Sequence, residues 1–252
     1  FASRKGVVKK TALSAYRHVR VKGVNAINIT ADDELIDVQI TGGNDEVVLA
    51  TRDGMAIRFH EGDVREMGRV ATGVRGIRLR SGDIVIGMVV VRSAEEAQAT
   101  LLVVTENGRG KRTDVDDYRL QGRGGQGVIN FRITAATGKV VAIKAVYPGD
   151  ELMVITRNGI VNRQRVNEIR VIGRNTQGVR VVALDEGDRI MDVARLVSDD
   201  DADLAGLGGD GALPPGVDVT TPVYPDDASD EPAFAGGSPE DVLAADDETT
   251  DE

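Results

Sequence analysis

The chain has 252 residues, of which 41% are hydrophobic and 29% are charged, so it can bury a sizeable core. It contains no cysteine and only two histidines, which excludes disulfides and a cysteine nucleophile and argues against a zinc site. Aromatic residues make up 3%, which disfavours recognition mainly by stacking of bases on rings. No apolar run reaches a membrane span and no signal peptide opens the chain, which starts at Phe1; we therefore expect a soluble piece of a longer intracellular protein.

The net charge of −10 combines two opposite regions. Residues 1–197 hold all 31 basic side chains against 24 acidic ones, a net charge of +7, whereas residues 198–252 hold 17 acidic side chains and no basic one. Six of the seven prolines also lie after residue 197. Such a segment buries too little apolar surface to offset its ordering entropy, so we expect a folded domain over 1–197 and a disordered acidic tail over 198–252. The tail either solubilises the chain or competes with an anionic ligand for the basic domain.

The first 197 residues repeat one pattern four times. The copies are centred on the turn glycines Gly6, Gly54, Gly108 and Gly159, and the first copy begins in mid-repeat. In each copy a second glycine followed by valine comes 19 residues after the turn glycine, or 17 residues in the first copy. The turn glycines are 48, 54 and 51 residues apart, a period that fits propeller-like blades better than helical repeats.

Each copy predicts about four strands. The pairs Asp53-Gly54, Asn107-Gly108 and Asn158-Gly159 indicate hairpins, because a type I′ turn needs positive φ at both central residues. Apolar, β-branched runs flank these turns, follow the second glycine and end each copy, as VVLAT, VRGIRL and GDIVIGMVVV do in the second one. A single copy cannot bury its own faces, so we expect an all-β assembly of four-stranded blades.

Basic residues recur at fixed offsets in this frame. Four residues after the turn glycines stand Lys10, Arg58, Arg112 and Arg163, and Lys9 and Lys111 precede two of them. Further along lie Arg65, Arg69, Arg75, Arg78, Arg165, Arg170, Arg174 and Arg180. Because repetition puts equivalent positions on equivalent edges, we expect these fourteen residues to form a basic belt that contacts DNA phosphates. The alternative is that they are ordinary solvated strand residues.

A glycine-rich heptad interrupts the third copy. It comprises Gln121, Gly122, Arg123, Gly124, Gly125, Gln126 and Gly127. It contains the letters G-x-G-x-x-G, but a dinucleotide site needs a helix to follow, and the next residues, VINFRI, predict a strand. Two interpretations remain, a loop whose amides and arginine approach a phosphate or a plain inter-strand turn, and we favour a supporting DNA contact. No metal-ligand cluster or catalytic pair of carboxylates emerges from the sequence.

Four segments resemble the C-terminal domain of the bacterial DNA gyrase A protein: GVVKKTALSAY from Gly6, TGVRGIRLRSGD from Thr72, NGRGKRTDVDDY from Asn107 and VIGRNTQGVRV from Val171. The resemblance implies a six-bladed β-pinwheel, with about four blades present here and with strands exchanged between blades. It also implies that double-stranded DNA wraps around the basic rim, so that the holoenzyme introduces negative supercoils by ATP-dependent strand passage.

The same resemblance implies the partners and the missing chemistry. The partners would be the N-terminal region of the gyrase A protein and the gyrase B protein in a heterotetramer, in the cytoplasm at the nucleoid. ATP and Mg²⁺ would act in other domains, and the catalytic tyrosine would lie outside this chain, so the fragment alone is expected to need no cofactor or metal and to catalyse nothing. The heptad departs from the family box Gln-Arg-Arg-Gly-Gly-Lys-Gly, because Gly122 and Gln126 stand where the box is basic.

Two other functions stay open. One is the C-terminal DNA-binding domain of the corresponding topoisomerase IV protein, a homologous domain that does not wrap DNA fully. The other is a propeller-like scaffold for protein interactions that binds no nucleic acid.

Overall fold

The computed structural model describes residues 1–18, 21–92 and 99–197. The acidic tail at 198–252 lies outside these ranges, so its disorder and the domain boundary at residue 197 stay predictions. The described residues form an all-β structure of fifteen strands and four short 3-10 helices, as the sequence predicts. None of these helices is long and apolar enough to cross a membrane.

The elements follow the four predicted repeats. Repeat 1 contains β1 (Ala2–Ser3), β2 (Val7–Val8), a 3-10 helix (Leu13–Tyr16) and β3 (Leu35–Asp37). Repeat 2 contains β4 (Glu46–Thr51), β5 (Met55–His60), a 3-10 helix (Glu61–Asp63), β6 (Val74–Arg75) and β7 (Val85–Val91). Repeat 3 contains β8 (Thr100–Thr105), β9 (Arg109–Asp114), a 3-10 helix (Val115–Asp117), β10 (Val128–Ile129) and β11 (Val140–Val146). Repeat 4 contains β12 (Glu151–Thr156), β13 (Val161–Arg165), a 3-10 helix (Val166–Glu168), β14 (Val179–Arg180) and β15 (Ile190–Leu196).

Each of the first three sheets takes its outer strand from the following repeat. The strand orders are β3-β1-β2-β6, β10-β5-β4-β7 and β11-β8-β9-β14, so β6, β10 and β14 each complete the sheet of the repeat before their own. We call these three the borrowed strands. Their register is the same each time: Val128 and Ile129 pair with the two residues that follow Gly54, and Val179 and Arg180 pair with the two that follow Gly108. This exchange confirms the pinwheel that the resemblance implied.

The fourth sheet has the order β13-β12-β15, so within the described residues it has three strands. The edge of β13 is correspondingly open, and Val161 at its start is 56% exposed.

The inner edge of the sheets is apolar and shared between repeats. Strand β11 contacts both β7 and β15, so the last strands of successive repeats lie side by side. One apolar cluster joins Val48 and Ala56 of repeat 2 with Leu101 and Phe131 of repeat 3, all buried. The borrowed strands lie at the opposite, outer edge of each sheet, and the segments that lead to them run along that edge.

The exchange requires glycine at the hairpin turns. Gly108 has φ of 77° and Gly159 has φ of 84°, a left-handed conformation that favours glycine. A Cβ on Gly108 would lie 2.5 Å from the carbonyl oxygen of Val182, just beyond the borrowed strand β14, whereas a Cβ on Gly159 would meet nothing within 4 Å. The two turns therefore share one backbone conformation, but only the turn at Gly108 is covered by the next repeat.

We expect Gly108→Ala to destabilise the domain more than Gly159→Ala. Both substitutions introduce the left-handed penalty of about 1–2 kcal/mol, and only the first also drives a methyl group into a backbone carbonyl, which adds about 1–3 kcal/mol. The measurement is urea unfolding of the two variants and the parent chain. Equal losses of unfolding free energy would contradict the exchanged-strand packing at Gly108.

Candidate nucleic-acid interface

The basic residues four positions after the turn glycines reach into the next repeat. Arg58 is 6% exposed, and its Nη1 donates to the carbonyl oxygens of Val115, at 2.9 Å, and Tyr118, at 3.2 Å, at the two ends of the 3-10 helix of repeat 3. Its guanidinium also pairs with Glu46 of its own sheet. The carbonyl of Val115 also accepts from the amide of Tyr118, at 2.9 Å, so Arg58 adds a second donor there and satisfies the carbonyl of Tyr118 at the end of the helix.

The equivalent residues of the neighbouring repeats each make one of these two contacts. Lys10 Nζ donates to the carbonyl oxygen of Glu61, at 3.0 Å, and Arg112 Nε donates to that of Ile169, at 2.8 Å. We refer to Lys10, Arg58 and Arg112 as the inter-repeat latch, because each holds the 3-10 helix of the following repeat. The fourth equivalent, Arg163, is exposed and pairs with Glu151 of its own sheet.

The lysines one position earlier are buried as well. Lys9 and Lys111 are 2% and 0% exposed. Lys111 Nζ donates to the carbonyl oxygen of Gly173 at 2.9 Å, to that of Arg174, and to Thr176 Oγ1 at 3.2 Å. Lys9 Nζ likewise donates to a carbonyl in the connection of the next repeat, that of Arg69.

The prediction of an exposed basic belt is therefore wrong for four residues, which are Lys9, Arg58, Lys111 and Arg112. Their charges are satisfied inside the domain by backbone carbonyls that come from the following repeat, so their surface is not offered to a ligand. Repetition of a basic residue signalled a repeated internal contact here.

Burial changes the proton affinity of Lys111. Removal from water, and to a smaller extent the positive charge of Arg174, lowers the pKa of its ammonium group; Asp117 opposes the shift, and the resulting pKa is about 7. The ring of Phe131 lies 5.2 Å from Nζ and is part of the apolar surround. A lysine that holds a backbone loop therefore titrates close to neutral pH.

The remaining candidates lie toward the surface. Seven are exposed: Arg65, Arg75, Arg78, Arg163, Arg165, Arg170 and Arg180. Three are half-buried: Lys10, Arg69 and Arg174. Four of these ten, Arg65, Arg69, Arg170 and Arg174, lie on the segments that lead from a 3-10 helix to a borrowed strand, and Arg75 and Arg180 lie on the borrowed strands β6 and β14 themselves. Their contact with DNA stays a prediction.

Sequence reasoning missed further exposed arginines. Arg17 and Arg119 lie eleven residues after their turn glycines, as Arg65 and Arg170 do, so this offset carries an exposed arginine in all four repeats. Arg80 and Arg132 are also exposed. The offset of eleven is visible in the sequence, and aligning all four copies on the turn glycine would have found it.

The glycine-rich heptad packs against repeat 2. Arg123 Nε donates to the carbonyl oxygen of Asp63, at 2.8 Å, and Nη1 to that of Arg75, at 3.0 Å. Arg174 occupies the same position in repeat 4 and donates to the carbonyl oxygen of Ile129, at 2.8 Å, so this arginine is a second repeated link between repeats. A strand, β10, follows the heptad, in agreement with the rejection of a dinucleotide site.

The fold explains two of the four heptad glycines. Gly124 and Gly127 have φ of 83° and 75°, and a Cβ on Gly127 would lie 2.1 Å from the carbonyl oxygen of Ala56. Gly122 is exposed, with nothing within 4 Å of a Cβ, and a Cβ on Gly125 would make only an ordinary contact, at 3.7 Å, with Ile57. These two positions leave bare backbone at the outer edge for no reason of packing. Among the described residues, no group of acidic or histidine side chains could hold a metal ion.

Comparison with known proteins accounts for this architecture. The model of the family described as DNA gyrase C-terminal domain, beta-propeller, matches residues 1–41, 45–92, 99–146 and 150–196, one match for each repeat. The chain belongs to this family. The four matches agree with the expectation of about four blades in this chain.

Curated relatives agree with this assignment. The DNA gyrase A protein of Deinococcus deserti is 48% identical over 203 residues, which is 80% of this chain and 25% of the relative. The corresponding protein of Salmonella typhimurium is 42% identical over 209 residues, 82% of this chain and 23% of the relative. The chain thus spans about a quarter of the length of these relatives.

Solved structures share the fold. The C-terminal domain of a DNA topoisomerase IV superposes with a TM-score of 0.73 at 28% identity, covering 78% of this chain and 60% of that one. A DNA gyrase A C-terminal domain superposes with a TM-score of 0.69 at 24% identity, covering 78% and 64%.

The latch should contribute strongly to stability where the next repeat covers it. We expect Arg58→Ala to lower the free energy of unfolding by about 3 kcal/mol or more, because it removes the partner of the Glu46 carboxylate and the side-chain donor of the Tyr118 carbonyl. Arg163→Ala, at the equivalent exposed position, should cost less than about 1 kcal/mol. Urea unfolding of both variants provides the measurement, and similar losses would show that the burial of Arg58 contributes nothing.

The depressed pKa of Lys111 predicts a pH dependence of stability. Between about pH 7 and the unfolded value of 10.5, the unfolded chain binds the proton that the folded chain has lost. The contribution of Lys111 to the free energy of unfolding therefore rises with pH in this window, by at most about 1.4 kcal/mol per pH unit.

The control is Lys111→Ile, which places there the residue found at the equivalent Ile57. The difference in unfolding free energy between parent and variant should rise from pH 7 to 10 in thermal or urea unfolding. A difference that is flat across this range would mean that Lys111 keeps an ordinary pKa.

Proposed function

We propose that the domain over residues 1–197 binds duplex DNA along the outer edges of its sheets and bends it around the repeats. The observation that supports this most directly is the recurrence of exposed arginines just after the 3-10 helix of each repeat, with Arg17, Arg65, Arg119 and Arg170 at one repeated position. Phosphate contacts by arginine and lysine supply most sequence-independent DNA affinity. A ligand with regularly repeated negative charge matches a protein surface with regularly repeated positive charge.

The chemistry of this surface favours recognition of the DNA backbone over recognition of bases. The chain has four phenylalanines, four tyrosines and no tryptophan, and Tyr118 and Phe131 are buried. Arginine guanidinium groups pair with phosphate oxygens in bidentate fashion and carry no sequence information there. Binding should therefore depend on the deformability of the duplex more than on its sequence.

The heptad at residues 121–127 is a supporting contact in this proposal. Gly122 and Gln126 are exposed beside Arg123, and the absence of a side chain at Gly122 lets a phosphate approach the backbone amides. Its departure from the family box removes two positive charges, so we assign it a smaller share of the affinity than the arginines of the connecting segments.

The activity of the whole enzyme follows as a proposal from family membership. The domain would wrap DNA for a gyrase holoenzyme, formed with the N-terminal region of the gyrase A protein and with the gyrase B protein, which introduces negative supercoils by ATP-dependent strand passage. ATP, Mg²⁺ and the catalytic tyrosine would belong to parts outside this chain, so the chain alone should neither cleave nor relax DNA. A topoisomerase IV domain is the second candidate, favoured by the superposition at a TM-score of 0.73.

The test combines affinity with topology. We expect the purified chain to bind duplex DNA with log K falling steeply against log salt, by about 0.9 per phosphate neutralised. Ligation of a nicked circle in its presence should shift the linking number if the DNA is wrapped. Affinity should vary less than about 100-fold between duplexes of similar flexibility, because few contacts read bases.

Each alternative gives a different result. A topoisomerase IV type of domain would show the salt dependence with little change of linking number. A protein-interaction scaffold would show neither, and this outcome would overturn the proposal.

A further inference from the structure

The arginines eleven residues after the turn glycines differ from the other basic residues in how their main chain is held. In repeats 2, 3 and 4 the arginine is the second residue after the 3-10 helix, and the residue after it bridges to the preceding sheet. These bridges join Lys10 to Glu66, Arg58 to Leu120, and Arg112 to Val171. The inter-repeat latch is thus bonded to the residue beside each of these arginines.

The main chain is fixed on both sides of the arginine. In repeat 4, the carbonyl oxygen of Ile169, just before Arg170, accepts from Arg112 Nε, and the carbonyl of Arg170 itself accepts from the amide of Arg112 at 3.0 Å. Two residues later, the amide of Ile172 donates to the carbonyl of Arg112, at 2.9 Å. Arg58 does the same in repeat 3, accepting from the amide of Gln121 at 3.0 Å and donating to the carbonyl oxygen of Tyr118.

The side chains of these arginines are open to solvent, in contrast to their main chain. Arg65, Arg119 and Arg170 are exposed, and none of the ion pairs of the described residues involves them. An exposed guanidinium on a fixed main chain loses less freedom on binding a phosphate than one on a flexible loop. The position of Arg75 and Arg180 is not basic in every repeat, because Ile129 stands there in repeat 3.

We propose that the arginine eleven residues after each turn glycine is the main phosphate contact of its repeat, and that in repeats 2, 3 and 4 the latch residue of the preceding repeat positions it. This inference rests on the proposed function and assigns its residues. The row consists of Arg17, Arg65, Arg119 and Arg170. Lys10, Arg58 and Arg112 are positioning residues, which act on DNA only through the main chain they hold.

The first experiment compares two triple variants with equal loss of charge. Arg65→Ala, Arg119→Ala and Arg170→Ala are combined in one variant, and Lys5→Ala, Lys139→Ala and Arg189→Ala in the control. The three control residues are exposed, pair with Asp32, Asp53 and Glu106, and lie at the hairpin-turn end of the strands, opposite the 3-10 helices. The readout is the slope of log K against log salt for a duplex, with thermal unfolding recorded for each protein.

The row variant should lose about 3 from the magnitude of the slope, at about 0.9 per contact, and keep the parent Tm. The control should lose less than about 1. A row variant with the parent slope, while the parent itself binds with a steep slope, would overturn this inference and leave the proposed function intact. A parent chain with no salt-dependent binding would overturn the proposed function itself.

The second experiment separates positioning from stability. Arg112→Ala should reduce the slope by about as much as Arg170→Ala, and should reduce it no further when Arg170 is already alanine. Arg112→Lys, which installs the residue found at Lys10, should restore the slope, and Arg112→Gln provides a smaller perturbation if the alanine variant unfolds. Variants at Arg112 that lower Tm and leave the slope unchanged would show a merely structural role and refute the positioning claim.

Discussion

The exchange of one short strand between successive repeats is the constraint on which the rest of this domain depends. Because β6, β10 and β14 each complete the sheet of the repeat before their own, every repeat must send a segment across its neighbour's outer edge. The hairpin turn that receives this segment has to be glycine, since the carbonyl of Val182 passes within 2.5 Å of where a Cβ on Gly108 would lie. The same segment brings a 3-10 helix against the preceding sheet, and the carbonyl groups at the ends of that helix accept hydrogen bonds from donors there. The latch residues supply those donors, so the exchange explains the buried cations as well as the glycines.

The choice of cations for the latch has a physical reason and a cost. A buried charge is stabilised only when hydrogen bonds replace the water it loses. Arg58 meets this condition with Glu46 and two carbonyl oxygens, because the planar guanidinium presents several donors at once. Lys111 meets it less well, since its compact ammonium group has the carbonyls of Gly173 and Arg174 and a hydroxyl but no close carboxylate, and burial depresses its pKa. The equivalent position in repeat 2 is Ile57, which faces the glycine-rich heptad and buries no charge there.

Local features of the fold were predictable from sequence, and non-local ones were not. Asp-Gly and Asn-Gly pairs predicted the hairpins at Gly54, Gly108 and Gly159 and the strands around them. The predicted type I′ turn is wrong in detail, because each glycine amide donates to the carbonyl three residues before it, of Thr51, Thr105 or Thr156, so the glycine follows the central pair of the turn. The exchange of strands joins residues about 70 positions apart, such as Val128 and Ala56, and only the family resemblance indicated it. The prediction that Arg58 lies on a basic surface is wrong for the same reason. The carbonyls that bind its guanidinium belong to Val115 and Tyr118, more than fifty residues downstream. The offset of eleven is present in the sequence, but Arg17 and Arg119 were not predicted because the offset of four is the more obvious repeat of basic residues.

A basic residue at a repeated position can therefore either hold two repeats together or face solvent. Which of the two it does depends on whether another repeat covers it. Arg58, Arg112 and Arg163 stand at one position of the pattern, but the first two are buried under the next repeat while the third is exposed with Glu151. The net charge of +7 in residues 1–197 consequently overstates the charge that a DNA duplex would meet at the outer edge, since part of it is neutralised inside. What recurs at that edge is a smaller set of arginines whose main chain is held by the interior cations. Affinity for a polyanion and cohesion between repeats would then depend on each other, because loosening one interface displaces the surface charge of the next repeat.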